Sequence, residues 1–202
     1  MEAVRTLFVD TETTGLVLRD MPACAVEQPR IVQVGMSLHD SMRREVSSVS
    51  LVVNPGVGVP LGAARVHGIT TEIAEAIGVP ATAAVGLFIR LSRVADVVVA
   101  YNADFDMKAL ECEFNRAKAT WTAPQEVRCP MVEATEVIRL PPTERMVAAG
   151  FGDKFKPPKL EEAYRHFAGQ EMSGAHDALS DARACARVYY ALLDMGRWEK
   201  AA

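Results

Sequence analysis

The pattern of apolar and polar positions predicts three strands in the first part of the chain. Residues 4–10 form a short, mostly apolar run, and residues 31–38 alternate so that one side is apolar. A third run, residues 46–53, ends at the turn sequence Asn54-Pro55-Gly56. Residues 13–30 contain a glycine and two prolines and are expected to form a loop. Three successive strands indicate a meander.

Beyond these strands the pattern alternates between helix and strand. Residues 97–101 form an apolar, mainly β-branched run that predicts a strand buried on both faces, and residues 126–129 are a candidate short strand. Residues 141–159 are irregular and are expected to form a long loop. Together these elements predict an α/β fold in which a mixed sheet carries helices on its faces. The predicted helices cover residues 81–95, Phe105 through Ala117, Pro130 to just before Pro141, 160–167 and 178–193.

The composition is that of an ordinary globular protein. The 202 residues are 50% hydrophobic and 24% charged, which is consistent with a single domain spanning residues 1–202. The net charge of −4 argues against non-specific coating of a polyanion. It does not exclude a protein that grips only the end of a nucleic acid, where divalent cations supply positive charge.

The cysteines and the N-terminus bear on the compartment. Cysteines at positions 24, 112, 129 and 185 form no CxxC pair and no metal-binding spacing, so we expect reduced thiols and a cytoplasmic protein. The chain begins without a basic segment followed by an apolar one, which predicts no secretory signal. No apolar run approaches the length of a membrane span.

The first candidate site is Asp10-Thr11-Glu12, which follows the first apolar run. On an extended chain Asp10 and Glu12 project from the same face, and Thr11 projects from the other. Two carboxylates so placed can share a hard cation such as Mg²⁺. The alternative is that Asp10 only ends a strand and Glu12 is solvated.

The second candidate site lies just after the predicted buried strand, where Asn102 precedes Asp104, Phe105 and Asp106. Acidic residues are favoured at helix N-termini, so helix capping is the alternative explanation for both aspartates. Asp104 suits the cap. We therefore expect Asp104 to cap the helix and Asp106 to be free for another role.

The third candidate site contains His176 and Asp181, five residues apart. Because this spacing separates them widely around a helix, His176 is expected in the loop and Asp181 inside the helix. Asp181 then shares the apolar stripe of Cys185, Val188 and Leu192, where a carboxylate is unusual. The alternatives are a structural histidine and a buried aspartate satisfied by hydrogen bonds.

Taken in order, the three sites resemble the motifs of the DEDDh exonucleases, the DnaQ-like family of metal-dependent 3′→5′ nucleases. The motifs are Asp10-x-Glu12, Asn102-x-x-Phe105-Asp106, and His176-x-Ala178-x-x-Asp181. Residues 66–70 and 158–164 also resemble segments of bacterial and phage members. The resemblance implies a ribonuclease-H-like fold, with a five-stranded mixed sheet flanked by helices.

The resemblance also implies a reaction and a ligand set. Asp10, Glu12, Asp106 and Asp181 would hold two Mg²⁺ or Mn²⁺ ions, and His176 would be the general base. The reaction would release nucleoside monophosphates from a 3′ end, with DNA favoured over RNA as the nucleic acid partner. Residues expected to bind the substrate are Thr13, Gly15, Leu16, His67, Asn102 and Phe105.

Several alternatives stay open at the level of sequence. The protein could be a proofreading subunit that acts with a DNA polymerase, or an exoribonuclease that trims RNA. A non-catalytic binding module is disfavoured because every acidic residue of the motifs is present. The basic residues Lys154, Lys156 and Lys159 either touch backbone phosphates or belong to a solvated loop. The sequence does not report on oligomeric state.

Overall fold

In the part of the chain that the structure describes, a mixed sheet of six strands forms the centre of the protein, in the order β4-β3-β2-β1-β5-β6. A computed structural model describes residues 4–120, 124 and 126–198, so both ends of the predicted 1–202 domain lie outside the described residues. Strands β1, β2 and β3 are antiparallel, whereas β4, β5 and β6 join their neighbours in parallel. The strands are β1 Thr6–Thr13, β2 Ile31–His39, β3 Glu45–Asn54, β4 Val79–Pro80, β5 Val97–Val99 and β6 Val127–Arg128.

The helices cover both faces of the sheet, which confirms the predicted ribonuclease-H-like α/β fold. Leu7 and Val9 of β1 pack with Phe88 and Phe114 on one face, whereas Phe8 packs with Tyr189 on the other. The helices are α1 Leu61–His67, α2 Thr71–Ile77, α3 Ala81–Ser92, α4 Ala103–Arg116, α5 Pro130–Ile138, α6 Glu144–Ala148, α7 Leu160–Ala168 and α8 Ala178–Asp194.

The predicted count of five strands is wrong by one. The additional strand, β4, is the two-residue segment Val79–Pro80, which pairs with the outer edge of β3. Two residues are too few to show a period-two pattern, and a proline is tolerated only at an edge. The short helices α1 and α2 were not predicted, and α6 lies inside the segment expected to be a loop.

The predicted cap of α4 is also wrong. The helix begins at Ala103, the N-cap position is occupied by Asn102, and Asp104 lies within the first turn. Asn102 has φ 64° and ψ 50°, and its side chain makes no capping hydrogen bond. Asparagine adopts this left-handed conformation more readily than most residues. The sharp turn that it makes carries the chain directly from β5 into α4.

Helix α8 begins directly above β2, and a glycine permits this close approach. A Cβ atom added at Gly35 would lie 2.2 Å from the backbone carbon of Ala178. Gln33, two residues earlier on the same face of β2, accepts a hydrogen bond from the Ala178 N–H at 3.2 Å and donates one to Asp177 Oδ2 at 2.8 Å. Gly35 and Gln33 therefore fix the start of α8 against the sheet.

Within the described residues, no helix is long and apolar enough to cross a membrane. The thiols of Cys24, Cys112, Cys129 and Cys185 are all free.

Candidate active site

Side chains from the three sequence motifs line one pocket of about 460 Å³ at the carboxyl end of β1. Strand β1 supplies Asp10 and Glu12, helix α4 supplies Asp106, and Asp181 comes from the first turn of α8. His176 lies in the loop before α8, as expected from its spacing to Asp181. Elements far apart in sequence thus bring four carboxylates and an imidazole together.

Strand β1 divides its polar residues between two faces. It is regular as far as Glu12, so Asp10 and Glu12 project from the same face and Thr11 from the opposite one. The backbone N–H and hydroxyl of Thr11 donate hydrogen bonds to Asp106 Oδ1 at 2.9 and 2.8 Å. Thr11 therefore anchors α4 and orients Asp106, a role that the sequence motif did not reveal.

The start of α8 holds Asp181 and positions His176 beside it. Asp177 caps the helix by accepting hydrogen bonds from the N–H and the hydroxyl of Ser180. His176 has a left-handed backbone, with φ 65°, and its N–H donates to Asp181 Oδ2 at 3.2 Å. The other oxygen, Asp181 Oδ1, is buried and has no hydrogen-bond partner among the described residues.

The carboxylates are poorly accommodated as anions in the protein alone. Burial, reinforced by the neighbouring carboxylates, raises the pKa of Asp10 well above its usual value and that of Glu12 to about 8. Burial raises the pKa of Asp106 to about 7, although the hydrogen bonds from Thr11 oppose it. It also raises the pKa of Asp181 to about 6. A positive charge in the pocket would favour ionisation of all four.

The residues present fit a divalent cation. Glu12, His176 and Asp181 each offer a ligand atom within 4.8 Å of the other two, and the unpaired Asp181 Oδ1 is one of the oxygens available. Carboxylate oxygens are the ligands that Mg²⁺ and Mn²⁺ prefer. This geometric group differs from the predicted ligand set, because it includes His176 and omits Asp10 and Asp106.

The predicted substrate-binding residues fall into two groups. Leu16, Asn102 and Phe105 line the pocket, and the side chain of Leu16 is 82% exposed. The other three do not belong to the described pocket lining. Thr13 is buried, with its hydroxyl donating to the Gly15 carbonyl at 2.6 Å, and His67 is half-buried at the end of α1. The Nδ1 atom of His67 accepts the N–H of Ile69.

Among the further residues that line the pocket, Glu161 and Tyr101 make contacts that support the site. Glu161 Oε1 lies 3.8 Å from His176 Nε2, so the imidazole has a carboxylate beside it. Tyr101 donates its hydroxyl to the Pro158 carbonyl at 2.9 Å and holds the pocket wall formed by residues 157–159. The sequence signal for Glu161 was its place in the segment 158–164, which resembles a helix entry of bacterial and phage members, but it was not predicted as a site residue.

A buried acidic cluster on a ribonuclease-H-like sheet defines a class of nucleases, and comparison with known proteins agrees. The RNase_T family model, described as exonuclease, matches residues 7–189. The chain therefore belongs to this family of DEDDh-type exonucleases. No curated protein sequence matches the chain significantly.

Solved structures of similar fold include exonucleases. Zinc-bound E. coli exonuclease I in complex with single-stranded DNA matches with a TM-score of 0.71 and 22% identity, over 95% of this chain and 41% of that one. The nuclease domain of 3′hExo, a DEDDh family member bound to rAMP, matches with a TM-score of 0.69 and 12% identity, over 96% of this chain and 94% of that one. The chain spans about two fifths of the exonuclease I chain, and at these identities the likeness shows the fold alone.

Proposed function

We propose that this protein is a metal-dependent 3′→5′ exonuclease that removes nucleoside monophosphates from single-stranded or frayed 3′ ends of DNA. The observation that carries this proposal is the convergence of Asp10, Glu12, Asp106 and Asp181 with His176 in one open pocket. Membership of the exonuclease family supports the reaction class. The single-stranded DNA bound to the structurally similar exonuclease I supports DNA as the substrate.

The four carboxylates would hold two divalent cations, Mg²⁺ or Mn²⁺, which supply positive charge for the phosphate and lower the pKa of water. Through these ions the carboxylates would position the terminal phosphodiester, and Leu16 and Phe105 offer apolar surface to the terminal base. Leu16 is the more exposed of the two, so it is free to insert beside a base.

His176 is proposed to act as the general base. A neutral ring nitrogen takes a proton from the attacking water, whose oxygen bonds to phosphorus as the bond to the 3′ oxygen breaks. The products are a nucleoside 5′-monophosphate and a strand one nucleotide shorter with a new 3′ hydroxyl. Glu161, 3.8 Å from His176 Nε2, stabilises the imidazolium that forms.

The proposal is tested with an oligonucleotide labelled at its 5′ end. Purified protein should shorten it one nucleotide at a time with Mg²⁺ or Mn²⁺, and EDTA should stop the reaction. Asp10→Asn should abolish cleavage, whereas Asp20→Asn, an exposed aspartate outside the pocket, should leave it unchanged. Cleavage that survives Asp10→Asn, or that starts at the 5′ end, would contradict the proposal.

The substrate class is tested by comparing cleavage of DNA and RNA oligonucleotides of the same sequence. Initial rates should be higher on single-stranded DNA and on a duplex with a frayed 3′ end than on RNA. A preference for RNA would replace the proposed substrate with the exoribonuclease alternative. If the protein cleaves DNA efficiently only when a DNA polymerase is present, a proofreading role would be favoured instead.

A further inference from the structure

Residues 141–156 form an arm that is held at its base but contributes nothing to the described hydrophobic core. The base is closed where the Lys156 N–H donates to the Leu140 carbonyl at 3.0 Å. The ammonium group of Lys156 also pairs with Glu162 of α7 at 2.6 Å. Within the arm, Thr143 caps α6 by accepting the N–H of Met146. The arm is thus a built structure and not a loose loop.

The arm presents apolar side chains to solvent. Phe151 is 55% exposed and Val147 is 56% exposed, and they project from a segment with almost no buried residue. Phe155 is 38% exposed, and the Arg139 guanidinium lies 5.7 Å from the centre of its ring. Exposed aromatic rings on this arm are available to stack on flat ligands.

The arm and its flanks are positively charged in an otherwise acidic protein. Residues 139–159 contain five basic and two acidic side chains, whereas the whole chain has a net charge of −4. Among the described residues, Arg139, Arg145 and Lys159 form no ion pair. These charges are therefore available to an anionic ligand, whereas Lys156 is neutralised by Glu162.

The arm continues directly into the wall of the pocket. Pro157, Pro158 and Lys159 follow it in sequence and line the pocket beside Asp181 and His176. The hydroxyl of Tyr101 fixes this wall by donating to the Pro158 carbonyl. A polymer whose end occupies the pocket therefore has a continuous path onto the arm.

We propose that this arm binds the single-stranded segment 5′ of the cleaved nucleotide, with Phe151 stacking on a base and Arg145 contacting a phosphate. The inference rests on the proposed exonuclease function and extends it by a path for the strand outside the pocket. Exposed aromatic rings and cations without an ion-pair partner suit the bases and phosphates of a single strand. A paired duplex buries the faces of its bases and would gain only the charge contacts.

The test is direct binding in EDTA, so that it does not depend on cleavage. Fluorescence anisotropy measures the dissociation constants of labelled single-stranded DNA of 4 and 12 nucleotides. Phe151→Ala should weaken binding of the 12-mer at least about fivefold, the lower end for loss of one stacked base. The 4-mer, which extends less far beyond the pocket, should be affected less.

Arg145→Gln separates the charge contact from the stacking contact. It should lower the salt dependence of the 12-mer dissociation constant by about 0.7 in logarithmic slope, the value for one phosphate contact on a single strand. Met42→Ala and Arg90→Gln are the matched controls, since both residues are exposed and lie outside the arm and the pocket. Both should leave the dissociation constant and the slope unchanged.

The outcomes distinguish this inference from the proposed function. If Phe151→Ala and Arg145→Gln bind the 12-mer as tightly as the unmodified protein does, the arm is not a nucleic-acid surface. Equal weakening of 4-mer and 12-mer would also overturn it. If the protein binds the 12-mer through the arm but never shortens it, the arm assignment stands and the proposed function fails.

Discussion

Replacing Asp181 by asparagine should stabilise the protein in the absence of divalent cations, and the gain should grow with pH. Asp181 is 9% exposed, one of its oxygens has no hydrogen-bond partner among the described residues, and its pKa is raised from an ordinary 3.8 to about 6. The largest cause is burial, which penalises the ionised form. Asparagine keeps an oxygen for the His176 N–H and removes the charge.

The direction and size of this effect on the free energy of unfolding follow from the difference in the pKa of Asp181 between the folded and unfolded states. Because the pKa is higher in the folded protein than in the unfolded chain, the ionised carboxylate costs no folding energy below about pH 4. The cost develops between about pH 4, where the carboxyl of the unfolded chain ionises, and about pH 6, where that of the folded protein does, and it is essentially complete above pH 7. At about 1.4 kcal/mol for each tenfold change in the acid constant, it reaches about 3 kcal/mol. Screening in the open pocket reduces this to about 2 kcal/mol.

Urea unfolding in EDTA at pH 4.5, 6 and 8 measures the difference between Asp181→Asn and the unmodified protein. The variant should gain about 1.3 kcal/mol between the lowest and the highest pH, because about a third of the cost has already developed at pH 4.5, whereas Asp20→Asn should show no such trend. Saturating Mg²⁺ should then stabilise the unmodified protein more than the variant. A pH-independent difference, or equal stabilisation by Mg²⁺, would refute the view that Asp181 is a strained anion relieved by cations.

The remaining predictions concern side chains that support the site. Thr11→Val should weaken Mg²⁺ binding roughly tenfold by calorimetry, since supporting hydrogen bonds contribute on that order; unchanged affinity would mean that the hydrogen bonds to Asp106 do not matter. Gly35→Ala should destabilise the protein by about 1–3 kcal/mol in urea, because its Cβ would overlap the start of α8. Gly86→Ala, in open space within α3, is the control and should be neutral or slightly stabilising. Glu161→Gln should lower kcat on single-stranded DNA without raising KM, and a rise in KM alone would reassign Glu161 to substrate binding.

Local patterns in the sequence were enough to identify most elements and the ligand candidates. The apolar runs located β1, β2, β3 and β5, and the long helices α3, α4, α7 and α8 followed from their spacing. Their alternation predicted the α/β class. The short elements α1, α2, α6 and β4 escaped because one or two turns, or two residues, carry too little periodicity.

The hydrogen bonds and backbone geometry that support the motif residues became visible only in the folded protein. Asp104 looked like the natural cap of α4, but Asn102 holds that position through its left-handed backbone. Thr11 was expected to project away from the acidic pair, yet it belongs to the pocket lining and its hydroxyl donates to Asp106 of α4. The spacing of residues within one strand or helix cannot predict such a contact, because Thr11 and Asp106 are 95 residues apart in sequence.

Local periodicity along the chain was sufficient to identify the acidic side chains and to assign them to strand ends and helices. The packing of β1, α4 and α8 against one another brings Asp10, Glu12, Asp106 and Asp181 into one pocket, which local patterns could not show. It also decided that Gly35 lets α8 approach and that Glu161 accompanies His176. Packing between distant elements sets these distances, and burial makes the resulting crowd of carboxylates favour a cation.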